Sequence, residues 1–260
     1  TPARCARPTR RWPGLYQYAR ALGYKTYYFD AQTNLLWNMT LEDVTYVDEW
    51  VNAKNLRLLE RYPMQERDFV VADTVRAVLR RGPGHFIVVN KMGAHFPYSF
   101  RYPADQAHWQ PVLEGGYDPS QPEAMRNAYD NAIRYNLDTF FRRLLADSTV
   151  LQTTDILYTS DHGETLSENG EAWSHGGTTR REACVPLFLL SARPYRPDTS
   201  FAASHLNVFA TLLDLMGYPE EQLRYRYAPS LMDVTAADTV PRYYFEGDLY
   251  GRGRWTKGLF

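Results

Sequence analysis

Four short apolar stretches, residues 24–30, 85–90, 155–160 and 185–191, limit what this chain can fold into more than any other feature. Each is far shorter than the roughly 20 apolar residues that a membrane-spanning helix needs, so each is read as a buried strand. Helical spacing of apolar residues fills the intervals. It covers 13–22, with Gly23 placed for a left-handed cap; 70–81, stopped by Gly82-Pro83-Gly84; 122–145, the longest; and 206–216, ending at Gly217. Helices alternating with short apolar strands predict an α/β fold in which a mostly parallel sheet is sandwiched by helices, with functional residues at the C-terminal ends of the strands. No repeat or low-complexity linker interrupts the 260 residues, which suit a single domain over 1–260.

The charge balance narrows the partners. With 29 basic and 30 acidic residues interspersed and a formal net charge of -1, the chain lacks the basic excess that a phosphate backbone attracts, so nucleic acid is not expected as a partner. Cys5 and Cys184 form no Cys-x-x-Cys pair, which argues against a zinc ribbon or redox motif; a Cys5–Cys184 disulfide and two inert thiols both stay open. The sequence starts without Met and without an apolar leader, and is expected to be an internal piece of a longer protein. Asn38-Met39-Thr40 is a glycosylation sequon of a kind that arises often by chance.

The chemistry concentrates where the third stretch stops. In Ile156-Leu157-Tyr158-Thr159-Ser160-Asp161-His162-Gly163-Glu164 an apolar strand gives way to a carboxylate, an imidazole and a glycine. Adjacent Asp161 and His162 are able to face one ion, and hard oxygen beside borderline nitrogen suits zinc, with manganese as the alternative, better than calcium. Gly163 allows a tight turn. The plain alternative is a capping Asp beside a surface His. Two further loops weigh against it. His95 follows the strand ending at Asn90, and His175 lies in Trp173-Ser174-His175-Gly176-Gly177, ahead of the last strand. All three segments are expected on one rim of the sheet. His85 at a strand start, His108 beside Trp109, and His205 at a helix start capped by Ser204 are read as structural, with His205 the nearest to a supporting role.

Together these segments resemble the C-terminal half of the phosphoethanolamine transferases, within the alkaline phosphatase and sulfatase superfamily. The resemblance rests on Ser160-Asp161-His162-Gly163-Glu164 with Glu168-Asn169-Gly170, Ser174-His175-Gly176 and Val185-Pro186. It rests also on Met92-Gly93-Ala94-His95-Phe96-Pro97-Tyr98 with Arg101-Tyr102-Pro103, on Tyr129-Asp130-Asn131-Ala132 and on residues 205–217, and it runs in order from about Gly14 onward. It implies an alkaline phosphatase/sulfatase-like fold, zinc bound by Asp161 and His162, and catalytic roles for His95 and His175: holding the transferred phosphoryl group, protonating a leaving group, or binding a second metal.

The resemblance further implies transfer through a phospho-threonine, from a phospholipid donor to a cell-envelope lipid or glycan, at the periplasmic face of a bacterial inner membrane reached through an N-terminal membrane region. The family's acidic metal ligand and nucleophilic threonine belong to a first strand-helix unit that this sequence is expected to lack. Thr1, Thr9 and Thr26 do not fit the nucleophile, and residues 1–260 alone are expected to be inactive. Lys91 stands where a neutral or imidazole side chain is common, and is expected either to contact an anion or to be solvated. The two cysteines are fewer than the lipid A enzymes of the family use for disulfides.

Two other readings stand beside this one. A sulfatase or phosphodiesterase of the same superfamily would hydrolyse rather than transfer; Cys5-Ala6-Arg7-Pro8-Thr9-Arg10 is only loosely sulfatase-like. An inactive sulfatase-like domain would bind a ligand or partner without turnover, against which the joint retention of Asp161, His162, His95 and His175 argues.

Overall fold

The structure, a computed structural model, describes residues 13–32, 41–175, 179–195, 198, 200–234, 238, 240, 243–247 and 253–257. Thr1, Thr9, Cys5, the Asn38-Met39-Thr40 sequon and Gly176-Gly177 lie outside the described residues, and Cys184 is an exposed free thiol. The chain divides into two compact units, residues 1–154 and 155–260.

The first unit runs α1 (Leu15–Ala21), β1 (Lys25–Asp30), α2 (Leu41–Thr45), β2 (Glu49–Val51), α3 (Leu58–Arg61), α4 (Arg67–Leu79), β3 (His85–Asn90), α5 (Pro122–Leu144) and α6 (Val150–Thr153). Its sheet has the order β2-β1-β3 and is parallel throughout, Lys25 lying opposite His85 and Tyr27 opposite Glu49. β1 is the middle strand, and its residues from Thr26 to Asp30 are all buried, which is why its sequence reads as a continuous run rather than an alternation. Helix α1 packs on β1, and α4 on β3 and α5, so helices flank a parallel sheet as expected.

Gly23 adopts φ +81, the left-handed cap that ends α1. The Thr26 hydroxyl donates to the Tyr46 carbonyl at 2.6 Å and accepts from the Asp48 amide at 3.0 Å; it ties β1 to the neighbouring turn and is no free nucleophile. Helix α4 starts at Arg67, ahead of the expected residue 70, because its first turn buries the polar Asp68 together with Phe69.

The second unit runs β4 (Ile156–Thr159), α7 (Arg180–Ala183), β5 (Leu187–Leu190), α8 (His205–Leu215), α9 (Glu220–Arg224), β6 (Tyr243–Gly247) and β7 (Gly253–Lys257). β4 and β5 pair antiparallel, Ile156 opposite Leu190 and Thr159 opposite Leu187, and β6 pairs antiparallel with β7. The strand over 185–191 therefore exists but does not join a parallel sheet. Among its described residues, its connection to β4 holds a 3-10 turn at Glu168–Gly170 and the one-turn helix α7, and folds back on itself through a Thr165–Ser174 bridge, returning the chain to the end at which β4 stops. Helix α8 carries the predicted cap: Ser204 Oγ accepts from the Leu206 amide at 3.0 Å, and Asn207 Oδ1 accepts from the Ser204 amide at 2.9 Å. No helix among the described residues is long and apolar enough to cross a membrane.

Candidate metal centre and histidine loops

β4 delivers Ser160, Asp161 and His162 into a turn held by its own polar groups. Ser160 Oγ donates to the His162 carbonyl at 2.8 Å, and the His162 amide donates to Asp161 Oδ1 at 3.1 Å. His162 Nδ1 lies 2.8 Å from the Gly163 carbonyl. That oxygen only accepts, so Nδ1 carries a proton, and in the neutral ring Nε2 is the bare nitrogen. Nε2 lies 3.9 Å from Asp161 Oδ2, and the Asp161 side chain is 87% exposed. Two bonds of about 2.1 Å meeting at zinc's tetrahedral angle place their donors about 3.4 Å apart, so these two exposed side chains reach a common ion by closing about half an ångström.

The carboxylate oxygen, the bare imidazole nitrogen and the carbonyl that fixes its tautomer make a donor set that fits zinc. Among the described residues no three His, Cys, Asp or Glu side chains gather as a complete cage; the pair is a partial one. Gly163 serves it differently from the tight turn expected. A β-carbon there would stand 2.2 Å from the Arg181 carbonyl oxygen, and the Gly163 amide donates to the Glu182 carbonyl at 2.8 Å, so it is the close approach of α7 that requires glycine.

His175 reaches the same place through the Thr165–Ser174 bridge, whose two amide-to-carbonyl bonds measure 3.0 and 3.1 Å. Beneath the bridge sits Glu182, only 5% exposed. Its Oε1 accepts from Thr165 Oγ1 at 3.0 Å and from Ser174 Oγ, and Thr179 Oγ1 accepts from its amide as the cap of α7. The bridge leaves the His175 ring 5.7 Å from the His162 ring with the planes 27° apart, and the Trp173 ring edge-on at 5.2 Å. His205 also plays a supporting part: its Nε2 lies 2.9 Å from Thr159 Oγ1 at the end of β4.

His95 belongs to the first unit, on an exposed loop after β3. Its Nδ1 lies 2.7 Å from the Phe96 carbonyl, which assigns the same tautomer as in His162. Arg101, 3% exposed, donates to the His95 carbonyl at 2.5 Å and the Phe96 carbonyl at 3.1 Å. Lys91 is not solvated, and the anion it contacts is a carboxylate of the chain itself. Its side chain is 11% exposed, and Nζ lies 3.2 Å from Asp68 Oδ2, 2.8 Å from Asn136 Oδ1 and 3.8 Å from the Phe140 ring centre. The buried Asp68 carboxylate demands a cation there.

Burial alone would raise the Asp68 pKa, but the Lys91 charge and the Gly93 and Met92 amides outweigh it and hold the carboxyl below its usual range. Burial lowers the Lys91 pKa, and attraction to Asp68 restores it only in part. His85 packs edge-on to Tyr27, and the His108 ring packs edge-on to Trp109 at 4.8 Å. Asp68 and Glu182 escaped the sequence. Asp68 shares the apolar helical stripe of Val71, Ala72 and Val75, and Thr179-x-x-Glu182 is a capping-box pattern; either signal could have found them.

The profile of the sulfatase family matches residues 4–218. The Kdo(2)-lipid A phosphoethanolamine 7''-transferase of Escherichia coli (strain K12) is 26% identical over 174 residues, 58% of this chain and 30% of that protein. Phosphatidylethanolamine transferase Mcr-1 of Escherichia coli is 30% identical over 174 residues, 62% of this chain and 30% of that protein. The chain thus spans 30% of the length of either relative. Crystal structures of the C-terminal periplasmic domain of EcEptC from Escherichia coli, alone and in complex with Zn, share its fold with TM-scores of 0.68 and 0.67 at 21% and 22% identity, covering 94% of this chain and 71% of that one. One profile runs through both the His95 loop and the segment 161–175, and the chain belongs to the sulfatase family.

Proposed function

We propose that this chain is the catalytic part of a zinc-dependent phosphotransferase that moves phosphoethanolamine, or a similar phosphoryl alcohol, from a phospholipid donor to a cell-envelope lipid or glycan. The observation that carries this reading is the His162 geometry, Nδ1 on the Gly163 carbonyl with Nε2 3.9 Å from Asp161 Oδ2 and the His175 ring stacked alongside. The names of the transferase relatives and the zinc complex of the similar domain support the transferred group and the metal.

In this reading Asp161 and His162 hold the ion, manganese being the alternative. When bound, it neutralises charge on the phosphoryl oxygens and lowers the pKa of the attacking hydroxyl. His175 and His95 are the groups that hold the phosphoryl oxygens or pass a proton to the departing one. The phosphoryl group rests in between on a threonine, as in the family that the sequence resembles. Residues 1–260 act as one catalytic domain, a reading supported by a family match that crosses the division between Thr154 and Asp155. The protein works at the periplasmic face of the inner membrane, anchored through an N-terminal region, as the periplasmic C-terminal domain of EcEptC suggests.

The test is a mass-spectrometric transfer assay of the complete protein with zinc, phosphatidylethanolamine vesicles and lipid A. A phosphoethanolamine gain on lipid A, lost on chelation and reduced about 100-fold or more by His162→Ala, is expected. Free phosphoethanolamine without acceptor labelling, or cleavage of an aryl sulfate, would instead mark a hydrolase of the same family. Lipid binding with no turnover would mark the inactive domain.

A further inference from the structure

The loop that carries His95 has no strand or helix to satisfy its backbone, so its amides and carbonyls need partners of another kind. They find two buried charges. Asp68 Oδ1 accepts from the Met92 amide at 2.7 Å, and Oδ2 accepts from the Gly93 amide at 2.8 Å. Two consecutive amides turn toward one carboxylate because Gly93 adopts φ +57, the left-handed conformation that glycine takes without strain. On the far side of the imidazole, Arg101 holds the His95 and Phe96 carbonyls. A carboxylate grips the amides before His95 and a guanidinium grips the carbonyls at and after it.

We propose that Asp68 is a positioning residue for His95, acting through the Met92 and Gly93 amides, with Lys91 present to neutralise it. This rests on the reading of His95 as a group that contacts the phosphoryl oxygens. The carboxylate touches no solvent, its side chain being 0% exposed, so it does not meet substrate. Its partners belong almost wholly to the stretch that leads into His95: Lys91, Met92 and Gly93. A helix stripe otherwise filled by Val71, Ala72 and Val75 gains nothing in stability from a carboxylate, since a buried ion pair is on average no better for folding than apolar groups of like size. The pair therefore serves the loop rather than the core.

The double variant Asp68→Asn, Lys91→Met removes both charges together and leaves no lone buried ion. In residues 1–260, imidazole nitrogen NMR should show His95 as the single Nδ1-protonated tautomer in the parent chain and as a mixture of tautomers in the variant. Amide exchange at Met92 and Gly93 should rise roughly tenfold or more, with protection in α5 and β3 unchanged. A folded variant whose His95 signals and Met92 and Gly93 exchange match the parent overturns the proposal. So does loss of protection throughout the first unit, which would make the pair a folding element. If His95→Ala in the complete protein keeps full transfer activity, the catalytic reading of His95 fails while the loop anchor, read by exchange, stands.

Discussion

At Gly163 the chain has no room for a side chain. The obstacle is the Arg181 carbonyl, backbone of α7 and not a flexible side chain. Gly163→Ala must therefore push the turn at 160–163 off α7, at a cost of about 1–3 kcal/mol, and with it move His162 relative to Asp161. A lower melting temperature and weaker zinc affinity by calorimetry are expected; zinc affinity equal to that of the parent would show that the turn does not set the pair. Asp68 makes a second residue-level prediction. Its folded pKa lies below the ordinary 3.8, so relative to protonated Asp68 the ionised carboxylate favours the folded state, an advantage complete above that value and lost as pH falls through the lower folded one. Chemical denaturation on either side of pH 3.8 should show an acid-side loss in the parent chain that the Asp68→Asn, Lys91→Met variant lacks. Asp161 and His162 stood out in the sequence because they end an apolar run beside a glycine, and His175 because it lies in a loop next to Gly176-Gly177. Asp68 and Glu182 were passed over, since a carboxylate in a helix is assigned to solvent by default, and the apolar stripe around Asp68 and the capping-box pattern at Glu182 were weaker signals than that default.

Among the elements, α8 has the firmest local specification. Ser204, Asn207 and Gly217 close both ends, and Asn207 Nδ2 also donates to the Pro229 carbonyl at 2.9 Å. Ser204→Ala should cost about 1 kcal/mol in urea denaturation. Because His205 is the first residue of α8 and meets Thr159, fraying there should also loosen the end of β4, seen as faster exchange at Ser160 and Asp161. No change at those amides would separate the cap from the candidate metal site. The helices at 13–22, 70–81, 122–145 and 206–216 and all four predicted strands were legible to within a few residues, since each carries several apolar positions in period. β2, with three residues, is too short for a period to register. The direction of β5 was illegible for another reason: a strand's pattern states which face is buried, not which way its neighbour runs, and it was the bridge at Thr165 and Ser174 that decided it.

For the molecule as a whole, the two units differ in what they could support alone. The first has three parallel strands flanked by helices, among them the long α4 and α5, with Tyr27, Phe29, Phe69 and Met125 fully buried. Among the described residues the second has two separate two-stranded antiparallel pairs and one helix of more than two turns, α8. A two-stranded pair is marginal in water without further strands or a packed helix, so the described elements of residues 155–260 give little that could fold independently. The family profile, meanwhile, crosses from Thr154 to Asp155 without a break. Residues 1–260 should accordingly lose structure in one cooperative step, with amide exchange in β1 and in β4 following the same denaturant dependence, and residues 155–260 expressed alone should show no cooperative transition. Two well-separated transitions in the full chain, or a cooperative melt of 155–260 by itself, would establish two domains in place of one.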